Sequence, residues 1–171
     1  KAFLQILPDQ PVRVTASGRT DAGVHALGQV VHFDTPAGSA LPPDAWLRAL
    51  NVHLPPSIRV MESWIVPDTF HARFDATGKT YRYRLWTGSV LPPLEAGLAC
   101  HHPRPLELAA LTEACLALQG THDFTNFAAF RGHEDGTEDN IRTLWTVAPS
   151  MAGAVVTLTF HGSRSEERRV G

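Results

Sequence analysis

The chain has 171 residues, 43% of them hydrophobic and 19% charged, and a formal net charge of -2. This length fits one domain or two small ones, and the ordinary apolar content argues against global disorder. No apolar run reaches the roughly 18 residues of a membrane-spanning helix, and two cysteines cannot form a disulfide framework. We therefore expect neither a membrane protein nor a disulfide-stabilised secreted domain.

The first half of the chain predicts short strands, one helix and a glycine-containing loop. Alternating apolar residues predict three strands, over residues 12–16, 29–33 and 58–66. The loop lies between the first two strands, at residues 17–23. A helix is predicted over residues 44–53, because Trp46, Leu47 and Leu50 recur on one helical face.

The second half of the chain predicts more strands and a second helix. Tyr81, Tyr83 and Leu85 share one face of a strand predicted over residues 79–86. The other elements are a helix and two strands, over residues 106–119, 141–147 and 155–160. Strands in hairpin-like succession with few helices predict an α+β fold with a largely antiparallel sheet.

The loop over residues 16–26 carries the densest set of polar groups. Its two glycines, Gly18 and Gly23, have P-loop spacing, but the Lys-Ser/Thr pair that a P-loop requires does not follow them. What remains is a carboxylate, Asp21, two residues from the guanidinium of Arg19. An arginine within about 4–6 Å keeps a carboxylate ionised, hence available as a nucleophile or base. The alternative is a turn in which Asp21 bonds its own backbone and Arg19 points into solvent.

Residues 18–26, with the sequence GRTDAGVHA, resemble the active-site signature of the tRNA pseudouridine synthase A family. Other segments resemble that family's successive motifs in order: residues 29–33 (QVVHF), 70–74 (FHARF), 79–83 (KTYRY) and 120–124 (GTHDF). The resemblance covers about residues 12–162. It implies the pseudouridine synthase fold, α+β with a mostly antiparallel sheet, helices on one side, and two similar halves around a central cleft.

The resemblance implies an isomerase that converts uridine to pseudouridine in the anticodon stem-loop of tRNA, with neither cofactor nor metal. It also implies a cytoplasmic enzyme that is a homodimer when complete. The family's catalytic aspartate maps onto Asp21, and its active-site tyrosine maps onto Tyr81, as a stacking platform and a participant in removing the C5 proton. Arg19 matches the arginine that contacts the flipped nucleotide or its phosphate. The alternatives are a core aromatic at Tyr81 and a surface arginine at Arg19.

A local positive charge follows the loop along the sequence. Residues 69–86 carry four cationic side chains against one anionic side chain, a local charge of +3. We expect a groove for tRNA phosphates lined by His71, Arg73, Lys79, Arg82 and Arg84. Nearer the loop, the polar candidates for contact with RNA are His25, Gln29 and His32. The alternatives are a solvated strand face for the first set and structural roles for the second.

Two further polar segments have simpler explanations than catalysis. His122 and Asp123 suggest a metal site or a proton relay, but no ligand at metal spacing accompanies them, and we expect a turn or helix cap. The acidic run at residues 134–139 is expected to be a solvated loop, because its negative charge would repel RNA.

The ends of the chain depart from the family pattern. The family opens with a strand and helix of which residues 1–10 match only the end, and residues 164–171 do not match its helix with a basic partner for the catalytic aspartate. We therefore expect a fragment incomplete at both ends. Its expected parts are the remainder of an N-terminal half (residues 1–68), a second half (69–163) and a disordered tail (164–171).

Two other functions remain possible at this stage. A non-catalytic RNA-binding module derived from such an enzyme would keep the basic residues, although an intact Asp21, Arg19 and Tyr81 favour an active one. A phosphoesterase using Asp21 and histidines would require a metal ion, so chelation would distinguish it.

Overall fold

The computed structural model describes residues 1–7, 11–35, 41–127 and 140–163. The chain packs as two compact units, Lys1–Ala76 and a second that begins at Thr77. Residues 69–76 belong to the first unit, in which the ring Nδ1 of His32 accepts a hydrogen bond from the backbone N–H of Ala72, at 3.1 Å. The expected disordered tail and the acidic run at residues 134–139 lie outside the described residues.

The first unit contains two helices and a short hairpin: α1 (Ala2–Ile6), β1 (Thr15–Ala16), β2 (Val31–His32) and α2 (Pro43–His53). Strands β1 and β2 are antiparallel. An aromatic cluster forms the core, in which the ring of Phe33 lies 4.6 Å from that of Phe3 and 5.2 Å from that of Trp46. Trp46 and Leu50 of α2 are buried, which confirms the predicted apolar face of this helix.

The strand predicted over residues 58–66 does not form, and that prediction was wrong. A strand requires a neighbour, and no described segment pairs with this one. The side-chain amide of Asn51 instead bonds both backbone groups of Val60, each at 2.8 Å. The apolar side chains that suggested a half-buried strand, including Met61, Trp64 and Ile65, are exposed.

The second unit is built on a five-stranded sheet. Its strands are β3 (Gly78–Trp86), β4 (Cys100–His101), β5 (Gly120–Asp123), β6 (Ile141–Ala152) and β7 (Val155–Ser163). They lie in the order β4-β3-β7-β6-β5, and only β3 and β4 are parallel. Helix α3 (Leu108–Ala117) packs against β6. The predicted α+β fold with a largely antiparallel sheet is therefore confirmed.

The sheet has one apolar and one polar face, as the alternation within β3 predicts. Tyr81 lies opposite Phe160 of β7, on the face where Val147 and Val156 are 2% and 0% exposed. Arg82 lies opposite Thr159, on the other face. No helix among the described residues is long and apolar enough to cross a membrane.

The substitution Val156→Ala tests this packing. Val156 is fully buried, so removing its two methyl groups should lower the free energy of unfolding by about 2 kcal/mol. Urea denaturation measures this change. Val90→Ala is the control, because Val90 is 74% exposed and should change stability by less than about 0.5 kcal/mol. Equal effects of the two substitutions would contradict the assigned core.

Candidate active site

The loop between β1 and β2 carries four of the predicted site residues, Arg19, Asp21, His25 and Gln29. The backbone N–H of Ser17 donates to the carbonyl of Val30 at 2.8 Å, which extends the β1–β2 pairing by one step. Beyond it the chain reverses in a turn, where the N–H of Val24 donates to the carbonyl of Asp21 at 3.1 Å. Gly23 occupies the third position of this turn with φ +80°, a conformation that disfavours other residues.

The carboxylate of Asp21 is presented to solvent by this turn. Its carbonyl, and not its side chain, forms the turn, so the predicted alternative of a side chain bonded to its own backbone is wrong. Within the described parts of the chain, this carboxylate has no hydrogen-bond or ion-pair partner, and Arg19 is likewise exposed. An anionic group without a neighbour is accessible to an incoming substrate.

Gln29 closes the base of the same loop. The hydroxyl of Ser17 donates to Oε1 of Gln29 at 2.6 Å, and Nε2 of Gln29 donates to the carbonyl of Gly18 at 2.7 Å. Both ends of the Gln29 amide are therefore engaged within the loop. His25, the other polar candidate here, is exposed on the loop.

Histidines organise the neighbouring segment that contains Arg73. The ring Nδ1 of His71 accepts hydrogen bonds from the backbone N–H groups of Arg73 and Phe74, both at 3.2 Å. A carboxylate oxygen of Asp75 accepts from the N–H of His71 at 2.7 Å. The rings of His32 and His71 are 4.8 Å apart, so both histidines act in the structure of this unit, and Arg73 is exposed beside them.

The remaining predicted residues lie on β3 of the second unit. Tyr81 is 54% exposed, which excludes the alternative of a core aromatic within the described structure. Lys79 shares the face of Tyr81, whereas Arg82 lies on the opposite face. Arg84 forms an ion pair with Glu95 at 3.0 Å. The basic residues of β3 therefore do not form one continuous surface.

Sequence reasoning missed two residues that affect the site, Ser17 and Glu95. Glu95 neutralises Arg84 from a 3-10 turn at Pro93–Glu95. The positions of the two residues in the sequence do not predict this contact. The hairpin register brings Ser17 opposite Val30 and next to Gln29, so the bond between the Ser17 and Gln29 side chains can be recognised only once the two strands are paired.

His122 and Asp123 serve structure, as expected. His122 bonds the carbonyl of Gln119 through Nε2 at 2.9 Å. Oδ1 of Asp123 accepts from the N–H and the hydroxyl of Thr125, at 2.9 and 2.5 Å, and so begins the 3-10 turn Thr125–Phe127. The predicted turn is confirmed, although residues 120–123 themselves form β5. Among the described residues, no three potential ligands are grouped to hold a metal ion.

Known proteins resemble this chain over most of its length. Residues 2–75 match the family model described as tRNA pseudouridine synthase. A tRNA pseudouridine synthase A of Akkermansia muciniphila is 47% identical over 154 residues, which cover 88% of this chain and 58% of that protein. Enzymes of the same name from Geobacillus kaustophilus and Latilactobacillus sakei are 43% and 41% identical, over 89% and 95% of this chain. These matches cover 57% and 64% of those two proteins, so the chain spans less than two thirds of the length of these relatives.

The stability of the turn at Asp123 is expected to depend on pH. Hydrogen bonds from the Thr125 hydroxyl and N–H lower the pKa of Asp123 below its ordinary value. The stabilisation is therefore present above the ordinary aspartate pKa and is lost as the pH falls through the folded-state pKa. NMR titration of the carboxyl carbon should show that Thr125→Val raises this pKa. Thr112→Val, which removes a hydroxyl bonded within α3, should leave it unchanged; equal pKa values in all three proteins would contradict the turn.

Proposed function

Since the chain belongs to the tRNA pseudouridine synthase A family, we propose that it isomerises uridine to pseudouridine in the anticodon stem-loop of tRNA. Asp21 is the proposed catalytic carboxylate. The observation that carries the proposal is the presentation of Asp21 on an exposed, glycine-dependent turn, with its carboxylate accessible. Loops on a firm scaffold are common places for reactive groups.

The proposed isomerisation needs a carboxylate such as that of Asp21 and no external reagent. The bond between C1′ and N1 breaks, the uracil turns, C5 joins C1′, and the proton lost from C5 is balanced by one gained at N1. Substrate and product are isomers, so no oxidant, reductant or group donor is needed. An ionised Asp21 can attack the base or stabilise positive charge that develops at C1′. Both routes require the target base to leave its stack.

Tyr81 and Arg19 are the other residues proposed to take part in the reaction. Tyr81 presents an exposed ring on which an extruded uracil could stack, and its hydroxyl is the proposed participant in removing the C5 proton. Lys79, on the same face of β3, is proposed to contact a phosphate. Arg19 is proposed to contact the flipped nucleotide or its phosphate, and it lies two residues from Asp21.

Further contacts with RNA are proposed for Arg73, Arg82 and His25, and Gln29 is left out of this set. Arg73 and Arg82 are exposed cations, which supports attraction to phosphates despite the formal net charge of -2. Gln29 would contact RNA only by giving up bonds within its loop. Arg84 is left out of the set, because Glu95 neutralises it.

We also propose that the whole protein works on tRNA as a homodimer in the cytoplasm. Membership of the family supports this proposal. Sedimentation of the complete protein with and without tRNA tests it, since a monomer at every concentration would contradict the dimer.

The first test is Asp21→Asn. The substitution keeps the size of the side chain and removes its charge, so pseudouridine formation should be abolished while tRNA binding stays within about tenfold. Tritium release from tRNA labelled at C5 of uridine measures turnover, and filter binding measures affinity. Asp68→Asn, at another exposed aspartate of the first unit, should retain activity. Normal turnover of Asp21→Asn would remove Asp21 from the mechanism, and binding without turnover by the unsubstituted chain would favour an RNA-binding module.

The second test compares Tyr81→Phe with Tyr83→Phe. Both tyrosines lie on one face of β3 and are 54% and 61% exposed, so the pair is matched. Loss of the Tyr81 hydroxyl should lower turnover about 100-fold, with tRNA affinity retained because the ring still stacks. Tyr83→Phe should leave both unchanged. Equal turnover in the two variants would exclude a role for the Tyr81 hydroxyl.

A further inference from the structure

We propose that Ser17 and Gln29 are positioning residues, which form a clamp that fixes the loop carrying Asp21. This inference rests on the proposed function, because the clamp would hold the carboxylate that the proposed function makes catalytic. The clamp consists of the bond from the Ser17 hydroxyl to Oε1 of Gln29 and the bond from Nε2 of Gln29 to the carbonyl of Gly18.

The loop is not held by buried side chains. All residues from Arg19 to Val30 are exposed, so no side chain of the loop is anchored in the core. The strands at its base contribute two paired residues each, followed by the bond from Ser17 to Val30. Segments with few buried contacts open readily unless hydrogen bonds restrain them. The clamp lies where the two strands separate, which is where a restraint limits the motion of the whole loop.

The geometry selects glutamine at position 29. A reversed amide would place Oε1 against the carbonyl of Gly18, and two acceptors repel each other, so the orientation of the amide is determined. Glutamate has the same size but lacks the N–H that Gly18 requires. Asparagine is shorter by one methylene group. The clamp therefore depends on a donor and an acceptor at opposite ends of one long amide.

Small displacements of a catalytic group cost much activity. A shift of about 1 Å can reduce a rate about 100-fold, because the reacting atoms lose their alignment. Asp21 lies three residues beyond Gly18, so freeing the Gly18 carbonyl releases the chain directly before the carboxylate. Loss of the clamp should therefore reduce the rate of the chemical step more than the affinity for RNA.

Amide hydrogen exchange on the 171-residue chain tests the clamp without any substrate. Gln29→Glu and Ser17→Ala should speed exchange of the Ser17 and Val24 amides about tenfold, because each variant removes a hydrogen bond at the base of the loop. Ser17→Thr keeps the hydroxyl and should exchange at the original rate. Gln5→Glu, an exposed glutamine on α1, is the matched control. Unchanged exchange in Gln29→Glu would overturn the proposal.

Turnover and binding then separate positioning from direct contact. With a tRNA labelled at C5 of uridine, Gln29→Glu and Ser17→Ala should lower the single-turnover rate of tritium release 10- to 100-fold, with the Kd for tRNA within threefold. Ser17→Thr should restore the rate. If Gln29 instead contacts RNA, its substitution raises the Kd and leaves the saturated rate unchanged, which overturns the positioning role. Full turnover of Asp21→Asn alongside faster exchange would refute the proposed function and leave the clamp standing.

Discussion

A carboxylate on a loop without buried side chains depends for its position on the hydrogen bonds at the base of that loop. The loop that carries Asp21 meets this condition, and the pairing of β1 with β2 provides its base. The same hairpin is tied to the rest of its unit from the strand that follows the loop. There His32 accepts the N–H of Ala72, and Phe33 packs against Phe3 and Trp46. The position of Asp21 thus depends on contacts that begin at β2.

Two histidines complete this support, and their hydrogen bonds select one tautomer of each neutral ring. Nδ1 of His32 and Nδ1 of His71 both accept backbone N–H groups. A ring nitrogen that accepts a hydrogen bond carries no proton, so the neutral rings carry it on Nε2. The hydrogen bonds of both imidazoles stabilise residues 70–75, and the bond of His32 joins this segment to β2. This explains why the two histidines contribute to the structure of this unit.

The sequence predicted the elements whose pattern is local. β3 was predicted because apolar and polar side chains alternate along it, and the loop was recognised because its glycines and charged residues are adjacent in the chain. The strand at residues 58–66 failed for the opposite reason, because strand formation depends on a neighbour that no local pattern specifies. The bond from Asn51 to Val60 replaced that neighbour, over a separation that no turn motif covers.

The candidate site was predictable to a similar extent. Sequence motifs were enough to identify Asp21, Arg19 and Tyr81 as candidates. The contact between Ser17 and Gln29 could be identified only from the register of the hairpin. Register is a property of two strands together, and it decides which side chains meet across them. Gln29 was predicted to contact RNA because its side chain is polar and lies near the loop. The structure shows that a polar side chain at the base of a loop has the loop itself as its nearest partner.

Charge illustrates the same difference between adjacency in sequence and adjacency in space. Lys79, Arg82 and Arg84 form one basic run in the chain, yet alternation places Lys79 on the face of Tyr81 and both arginines on the other. Glu95 then neutralises Arg84. Within β3, the Tyr81 face keeps one cation, so phosphate attraction there is modest. Under the proposed function, an extruded base at this face would be held mainly by the Tyr81 ring, and affinity for the RNA backbone would come from cations on other elements.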